Sequence, residues 1–326
     1  MKAVQTGHDL ERWAPSWEGL INRHPRPYIF YSPGFIKAWQ EELAPSAPLT
    51  LLAVHRGEEA LAIAPLIDQG REMRLAGDPQ VFDYMDLIID PAAEEEALVQ
   101  LLNTLVSLPW EQFILWGLHE ASYTRQALPQ LAPKMGLLCH EEVEAVCPQV
   151  TLPPSWEEYL AALPRKDRHE LERKLRRLLR LGEPELEVHI TPQERAQAMD
   201  DFLRLHRISR AEKAQFMTEQ MERFFRRIAL LAPARLYFLR LQGQRVASLL
   251  CFMAKDTLQL YNSGFDPDYS HLAVGLLSKA LLVKEAIAQG LRYVDFLRGA
   301  EPYKYSLGAR DVKVYRLTLT KARTDV

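Results

Sequence analysis

The stretch TLQLYNSGFDPDYSHLAVGLLSKALLVKEAIAQGLRYVDFLRGAEPYKYSLGA, Thr257–Ala309, decides the fold. Its first part predicts a strand over 257–265, and its apolar middle predicts a helix over 273–289 that Gly290 caps. The segment RYVDFLRG, residues 292–299, is typical of a second strand, and Pro302 suits the first turn of a short helix. A strand, a helix and a strand in this order indicate an α/β sheet.

Polar groups concentrate just after the second predicted strand. The short helix places Glu301, Lys304 and Tyr305 on one side, at spacings of three and four residues, and Tyr303 on another. A carboxylate, an ammonium group and two phenols therefore collect beyond the C-terminal end of a strand, where α/β sheets favour ligands. We predict a functional site there. The alternative is a structural hydrogen-bond network that holds the last helix.

The same order of elements occurs twice along the chain. LTLLAVHRGEEALAIAPLID, residues 49–68, and RLYFLRLQGQRVASLLCFMAK, residues 235–255, are each typical of a β-hairpin. Each is followed by a strand, a helix, a strand, a short helix and a strand. We interpret this as an internal duplication, with an N-terminal domain over 1–150 and a C-terminal domain over 151–326. The prolines in TLPPSWEEYLAALP, residues 151–164, mark the joint.

The two halves carry opposite charge. The whole chain has a net charge of −3, but residues 1–150 carry −11 and residues 151–326 carry +8. The second half is therefore expected to handle an anion, either a phosphate-bearing small molecule or nucleic acid. Residues 165–180 contribute eight basic and three acidic residues on a predicted helix, which is either a solvated face or a surface that contacts phosphate or a membrane.

Other features narrow the class of protein. No apolar run is long enough to span a bilayer, and the first residues lack the apolar segment of a signal peptide. The three cysteines form no CxxC pair, which suits a reducing compartment, so we expect a cytoplasmic protein. The nine histidines show no metal-ligand spacing, and we expect no metal site. The oligomeric state stays open.

The C-terminal half resembles a known family in several motifs. The family's recurring form is a Gly-Phe-Asp strand end, a Gly-Leu helix, Asp-Phe-x-x-Gly, Glu-x-Tyr-Lys and Gly-Ala. The matching residues here are Gly264-Phe265-Asp266, Gly275-Leu276, Asp295-Phe296, Gly299, Glu301, Tyr303-Lys304 and Gly308-Ala309. They resemble the CelD/BcsL-like acetyltransferases of the GNAT superfamily. FYSPGFIKAW, AIAPL and DYMDLIID extend the resemblance into the first half. A looser resemblance reaches the Fem-type aminoacyl transferases, which carry two tandem GNAT-like domains.

The resemblance implies a fold and a donor. The fold is α/β, with two tandem GNAT-like domains, each a mixed and mostly antiparallel sheet with helices on both faces. The co-substrate is acetyl-CoA or another acyl-CoA, whose pantetheine arm lies between two splayed strands and whose pyrophosphate lies where the following helix begins. The donor-binding residues implied are Tyr261, Asn262, Ser263, Gly264, His271, Ala273, Gly275, Leu276 and Arg298.

It also implies acyl transfer to an amine, either a small molecule or a peptidyl group. A base must take the proton of the amine, and an acid must supply one to the leaving thiolate. The candidates for the base are Glu301, Asp295 and Asp86, the last of which would have to reach across the domain joint. Strand N–H groups or Lys304 would bind the oxyanion, and Tyr303 or Tyr305 would be the acid. We favour Tyr305, whereas the resemblance points to Tyr303. Acceptor-binding candidates are Tyr84, Asp86, His206 and Arg207.

Two alternatives stay open. SHLAVGLL, residues 270–277, offers only Gly275 with Ala273 beside it, whereas the usual GNAT phosphate loop has more small residues. An aminoacyl-tRNA donor, as in a Fem-type transferase, is therefore a second hypothesis. A third is a binding module that keeps the fold without turnover. We expect no DNA partner and no membrane insertion.

Overall fold

The computed structural model describes residues 2–6, 10–57 and 59–321, which divide into two compact units. Unit one comprises the described residues up to Val146 together with those from Val312 onward. Unit two comprises Cys147–Asp311. Within the described residues, none of the helices is long and apolar enough to cross a membrane.

Unit one is built on an antiparallel hairpin with one parallel pair beside it. Its strands run in the order β1-β2-β3-β4-β6-β13, and β4 pairs with β6 in parallel while the other neighbours are antiparallel. The short β5 pairs with β3. The elements are β1 Lys2–Thr6, α1 Leu10–Arg23, α2 Pro33–Leu43, β2 Leu49–Arg56, β3 Glu59–Asp68, β4 Glu72–Leu75, β5 Ile88–Ile89, α3 Glu94–Val106, β6 Gln112–His119, α4 Tyr123–Leu131, the first part of β7 Leu137–Thr151, and β13 Arg310–Lys321.

Unit two repeats that pairing scheme. Its strands run in the order β12-β11-β10-β9-β8, where only β11 and β12 are parallel, and the end of β7 pairs with β12. The elements are α5 Trp156–Ala162, α6 Arg165–Leu179, β8 Glu185–His189, α7 Pro192–Ser209, α8 Ala211–Phe216, α9 Glu219–Ile228, β9 Ala234–Leu241, β10 Gln244–Ala254, β11 Thr257–Phe265, α10 Val274–Ala288, β12 Tyr293–Asp295 and α11 Pro302–Ser306. The predicted mixed, mostly antiparallel fold is confirmed.

Helices cover both faces of the sheet in unit two. Neighbouring residues of a strand point to opposite faces. A Cβ on Gly264 would meet the backbone of His206 in α7, whereas the ring of Phe265 lies against Gly275 in α10. Consequently α7 and α10 lie on opposite sides of β11. The core on the α10 side also takes in Leu171 and Leu178 of α6.

The parallel pair β11 and β12 separates soon after it forms. Their register covers only Thr257–Gln259 against Tyr293–Asp295, although β11 runs on to Phe265. β12 was predicted over 292–299 and is much shorter. The carboxylate of Asp295 accepts the N–H of Leu297 at 2.8 Å, and Leu297 has a φ of 57°, so the chain turns away directly after Asp295.

β11 also carries a bulge on its other edge. Leu250 of β10 pairs with Asn262, but the next residue, Cys251, pairs with Leu260, so Tyr261 is the extra residue. The extra residue shifts the alternation of side chains by one position, so side chains after the bulge point to the opposite face from the one that the alternation before it would give them. Ser263 consequently points to the α10 side together with Phe265.

The unit boundaries differ from the predicted division at residue 150. β13, which the sequence pattern assigned to the C-terminal domain, forms its ladder with β6 of unit one, from Val314 with His119 to Thr320 with Gln112. β7 runs through the boundary at Val146. The N-terminal domain is expected to be a degenerate copy that serves as scaffold and acceptor wall, and the C-terminal domain to bind the acyl donor and carry out catalysis. These roles stay predictions.

Candidate active site

A cavity of about 480 Å³ opens where β11 and β12 separate. Its wall comes from four places in unit two: the end of β11, the start of α10, the start of α11, and the junction of α7 and α8. The residues that line it are Ser209, Arg210, Lys213, Ser263, Phe265, Ser270, Ala273, Gly275, Leu276, Lys279, Glu301, Pro302 and Tyr303. Its volume lies in the range of small-molecule sites.

The α10 wall brings a buried lysine into the cavity. Lys279, one turn into the helix, is only 7% exposed, and its ammonium donates to the carbonyl of Gly275 at 2.7 Å. Burial, reinforced by the positive charges of Lys213 and Arg210, lowers the pKa of Lys279 to about 7. No carboxylate of the described chain forms an ion pair with it.

The α7–α8 wall adds two more cations. Lys213 is half-buried, and its ammonium donates to the carbonyl of Ser263 at the end of β11. Burial and the neighbouring Arg210 lower the pKa of Lys213 to about 8. Within the described part of the chain neither Arg210 nor Lys213 has a carboxylate partner.

The α11 wall supplies a phenol and a carboxylate. The ring of Tyr303 packs edge-on against Phe296 at 6.0 Å between centroids and lies below the ammonium of Lys279. Burial, and to a smaller degree the charge of Glu301, raise the pKa of Tyr303 above its usual value. Glu301 is the only carboxylate among the described residues that line the cavity.

The contacts of Lys304 hold a turn of the chain and do not fit the oxyanion-binding role predicted for it. Its ammonium donates to three carbonyls, those of Leu297 at 2.9 Å, Arg298 at 3.0 Å and Gly299 at 2.9 Å, and lies 2.9 Å from a Glu301 oxygen. An ammonium group has three protons. Because these contacts engage all of them, Lys304 holds the turn after β12 and has no donor left for an oxyanion.

Two other predicted catalytic residues also lie away from the cavity. The hydroxyl of Tyr305 donates to Asp311 at 2.7 Å outside the cavity, so of these two phenols Tyr303 is the one that lines the cavity. Asp295 is fully buried and accepts the N–H of Leu297. Of the predicted catalytic groups the cavity therefore brings together Tyr303 and Glu301.

Some of the predicted donor-binding residues line the cavity and others lie away from it. Four of them line the cavity: Ser263, Ala273, Gly275 and Leu276. Tyr261 faces the other side of the sheet, with its ring 5.5 Å from that of Phe225, and Asn262 lies 3.0 Å from Nε2 of His206. Gly264 packs on the α7 backbone, and Arg298 gives its carbonyl to Lys304. His271 is exposed, with Nδ1 3.0 Å from the Asp268 carbonyl.

The predicted acceptor residues lie in packed surroundings. His206 is 1% exposed, and burial lowers its pKa to about 4. Arg207 is ion-paired with Glu222. In unit one, Tyr84 is buried and stacks on Tyr28 at 4.3 Å. Asp86 is buried, accepts the N–H of Leu87 at 2.8 Å and has hydroxyl partners, and burial raises its pKa to about 6.

Three of the cavity's charges, Arg210, Lys213 and Lys279, are not among the predicted site residues. The stretch RLHRISRAEKAQF, residues 204–216, places Arg210 and Lys213 with His206 and Arg207 in one helical region facing the expected acceptor side, but a solvated face is the favoured interpretation there. Lys279 is hidden in an apolar helix. One signal was present, since Lys279 interrupts the apolar run LLSKALLV, residues 276–283. A charge at a core position of a helix predicts a functional group when it has no partner nearby.

The cavity suits a ligand that carries phosphate. The first N–H groups of α10 have no partner within the helix, and the helix dipole favours an anion there. Three cationic side chains stand beside that helix start. Among the described residues, no group of His, Cys, Asp and Glu side chains is arranged to hold a metal ion.

Comparisons with known proteins agree with this geometry. Residues 165–305 match the family model of the acetyltransferase (GNAT) domain. No curated protein matches the chain significantly. The crystal structure of FemX has a TM-score of 0.67 at 11% identity and covers 97% of both chains. A conserved protein of unknown function from Bacteroides thetaiotaomicron VPI-5482 has a TM-score of 0.64 at 13% identity, covering 98% of this chain and 100% of its own. Residues 165–305 are therefore similar to acetyltransferase (GNAT) domains, and the chain shares the fold of FemX.

Proposed function

We propose that unit two is an N-acyltransferase of the CelD/BcsL-like kind, which transfers an acyl group, acetyl in the first instance, from acyl-CoA to an amine. One observation carries the proposal: the parallel strands β11 and β12 separate over a cationic cavity at the N-terminus of α10. That is the place where the GNAT fold receives its donor. The cytoplasmic location predicted from the cysteines belongs to the same proposal.

The start of α10 is the expected seat of the donor's phosphates. The N–H groups of Val274 and Gly275 are the first of the helix and are available to an anion, whereas that of Leu276 donates to the Ala273 carbonyl at 3.0 Å. Ala273, with a φ of 58°, forms the turn that exposes them. Gly275 also has a packing role, because a Cβ there would meet the ring of Phe265 at 2.8 Å. It permits α10 to pack closely on β11.

The residues in the cavity can carry out the proton transfers of acyl transfer. The amine nitrogen forms a bond to the carbonyl carbon of the thioester, and the bond from that carbon to sulfur breaks. Glu301 is placed to take the proton that the amine loses. Tyr303, whose raised pKa keeps its proton in place, is placed to donate it to the departing sulfur. Backbone N–H groups on the open edge of β11 would bind the oxyanion.

Calorimetry with acetyl-CoA and longer acyl-CoAs tests the donor site. We expect binding by the unmodified protein and at least a tenfold weaker binding by Leu276→Glu, which adds a negative charge to the cavity wall. Ala288→Glu is the control, because it adds the same charge at an exposed position of the same helix. Absence of any acyl-CoA binding by the unmodified protein would refute the proposal.

One observation favours a second candidate, an aminoacyl-tRNA-dependent transferase. α6 and the residue after it carry basic side chains without a carboxylate partner in the described chain, namely Arg165, Lys166, Arg168 and Arg177 in the helix and Arg180 at its end. The fold shared with FemX is compatible with it. This candidate would be favoured if charged tRNA binds and acyl-CoA does not compete with it. The third reading, a module without turnover, is supported if acyl-CoA binds and no amine releases CoA from it.

A further inference from the structure

The cavity holds more positive charge than its own carboxylate can balance. Arg210, Lys213 and Lys279 line it, and Glu301 is the only acidic residue of the described chain on its wall. Glu301 also lies 2.9 Å from the buried ammonium of Lys304. Arg210 is exposed, but Lys213 is half-buried and Lys279 is buried, and each of these two ammonium groups has a carbonyl rather than a carboxylate as its partner. Burying such a charge is unfavourable unless a ligand supplies the opposite charge. The cavity is therefore built for an anion.

These cations approach the gap from the two sides of the sheet. Lys279 belongs to α10, on the side where the donor's phosphates are expected. Arg210 and Lys213 belong to the start of α8, which follows α7 on the opposite side. The ammonium of Lys213 is fixed by its hydrogen bond to the Ser263 carbonyl at the open end of β11. A donor held at the start of α10 leaves the pair on the α7 side for a different group.

We infer that the amine acceptor carries an anionic group, a carboxylate or a phosphate, which Arg210 and Lys213 bind on the α7 side of the gap. That the bound anion is part of the acceptor rests on the proposed function, whereas the anion subsite follows from the side chains alone. Arg210 offers a planar pair of donors and Lys213 a point charge, a combination that suits either carboxylate or phosphate oxygens.

The first experiment measures anion binding without any donor. Inorganic phosphate and acetate are titrated into the unmodified protein, into Arg210→Met and into Lys213→Met by calorimetry. We expect each substitution to weaken binding at least fivefold, because a charge-assisted hydrogen bond is lost. Lys284→Met, an exposed position of α10, is the control for net charge and should bind both anions as the unmodified protein does.

Calorimetry in buffers of different ionisation enthalpy adds a second readout. An anion next to Lys213 and Lys279 favours their protonated forms, so binding at pH 8 should take up protons. The other titratable groups that line the cavity, among the described residues, are Arg210, Glu301 and Tyr303. The proton uptake should fall in Lys213→Met and persist in Lys284→Met.

The second experiment uses matched amines with acetyl-CoA. Phosphoethanolamine is compared with ethanolamine, and β-alanine with propylamine, by release of CoA. We expect the anionic member of at least one pair to have a kcat/KM at least tenfold higher, and Lys213→Met to narrow that ratio to within threefold. The pair that shows the preference tells phosphate from carboxylate.

The outcomes separate the two proposals. If acyl-CoA does not bind but phosphate or acetate binding depends on Arg210 and Lys213, the acyltransferase proposal fails and the anion subsite stands. If acyl-CoA binds but Arg210→Met and Lys213→Met bind both anions as the unmodified protein does, the subsite is wrong. Equal kcat/KM for both members of every pair, with an amine turned over, also overturns the acceptor class.

Discussion

The ammonium nitrogen of Lys279 lies 5.0 Å from the centre of the Tyr303 ring. Lys279 also donates to the Gly275 carbonyl at 2.7 Å, so one side chain connects the first turn of α10 with α11. A cation above an aromatic face is attracted by the ring. This contact holds the Tyr303 ring at the cavity wall, whereas the hydroxyl of its neighbour Tyr305 donates to Asp311 outside the cavity.

The first prediction separates the two tyrosines. Tyr303→Phe keeps the ring and its packing on Phe296 but removes the proton donor. We expect turnover to fall by roughly 10²–10⁴-fold, the usual worth of general acid catalysis, with acyl-CoA affinity unchanged. Tyr305→Phe removes only the surface hydrogen bond to Asp311 and serves as the matched control. Single-turnover release of CoA measures both, and equal activity of the two variants would remove Tyr303 from the mechanism.

The second prediction concerns Lys279 and stability. Its folded pKa, about 7, lies below the value of 10.5 for an unburied lysine. Between pH 7 and 10.5 the unfolded chain therefore holds a proton that the folded chain lacks, and this group makes stability rise with pH. Below pH 7 Lys279 is charged in the folded chain, so the free energy of unfolding is lowered by the full cost of burying that charge. Lys279→Met should stabilise the protein, by an amount of the order of a few kcal/mol at pH 6.5.

Denaturant unfolding at pH 6.5 and at pH 9.5, without ligands, measures this effect. The gain from Lys279→Met should shrink at the higher pH, because Lys279 is then neutral in the folded chain and no longer buries a charge. Lys284→Met, on the exposed side of α10, should show neither the gain nor its pH dependence. A gain of the same size at both pH values would mean that the amine is not the cause.

The third prediction assigns Lys304 to the fold. Lys304→Met leaves the carbonyls of Leu297, Arg298 and Gly299 without their shared donor, in a turn where Leu297 and Gly299 both have positive φ. Buried carbonyls without partners cost about 1–3 kcal/mol each. We expect a loss of roughly 3 kcal/mol in the free energy of unfolding, measured with denaturant. Unchanged stability together with lost turnover would restore the catalytic role.

The order of elements was predictable because each element carries its own signal. The hairpins, the apolar α10 and the capping Gly290 could be placed from period and turn residues. The end of β12 could not, since the turn after Asp295 depends on a side-chain hydrogen bond to Leu297 that no pattern encodes. The bulge at Tyr261 was also hidden, because it depends on the register with β10.

The site was half predictable for a related reason. Glu301 and Tyr303 could be found because polar groups cluster after a strand. Lys304 has the same local signal, and only the three carbonyls around it reveal that it holds a turn. Lys213 reaches Ser263 across fifty residues of sequence, and such a contact depends on the packing of α8 beside β11.

The last prediction tests the contact that positions the α7 side of the cavity. A Cβ on Gly264 would lie 2.4 Å from the backbone nitrogen of His206, and backbone cannot turn aside as a side chain can. Gly264→Ala must therefore push α7 away from β11, and with it the start of α8 that carries Arg210 and Lys213. We expect a loss of roughly 3 kcal/mol or more in stability from this overpacking.

Gly290→Ala is the matched control: its φ is +70° but nothing lies within 4 Å of the added carbon, so only backbone strain of about 1–2 kcal/mol is expected. In the folded fraction, Gly264→Ala should weaken phosphate binding, whereas Gly290→Ala should not. If both variants lose the same stability and bind phosphate equally, close packing of α7 on β11 does not set the position of the cations.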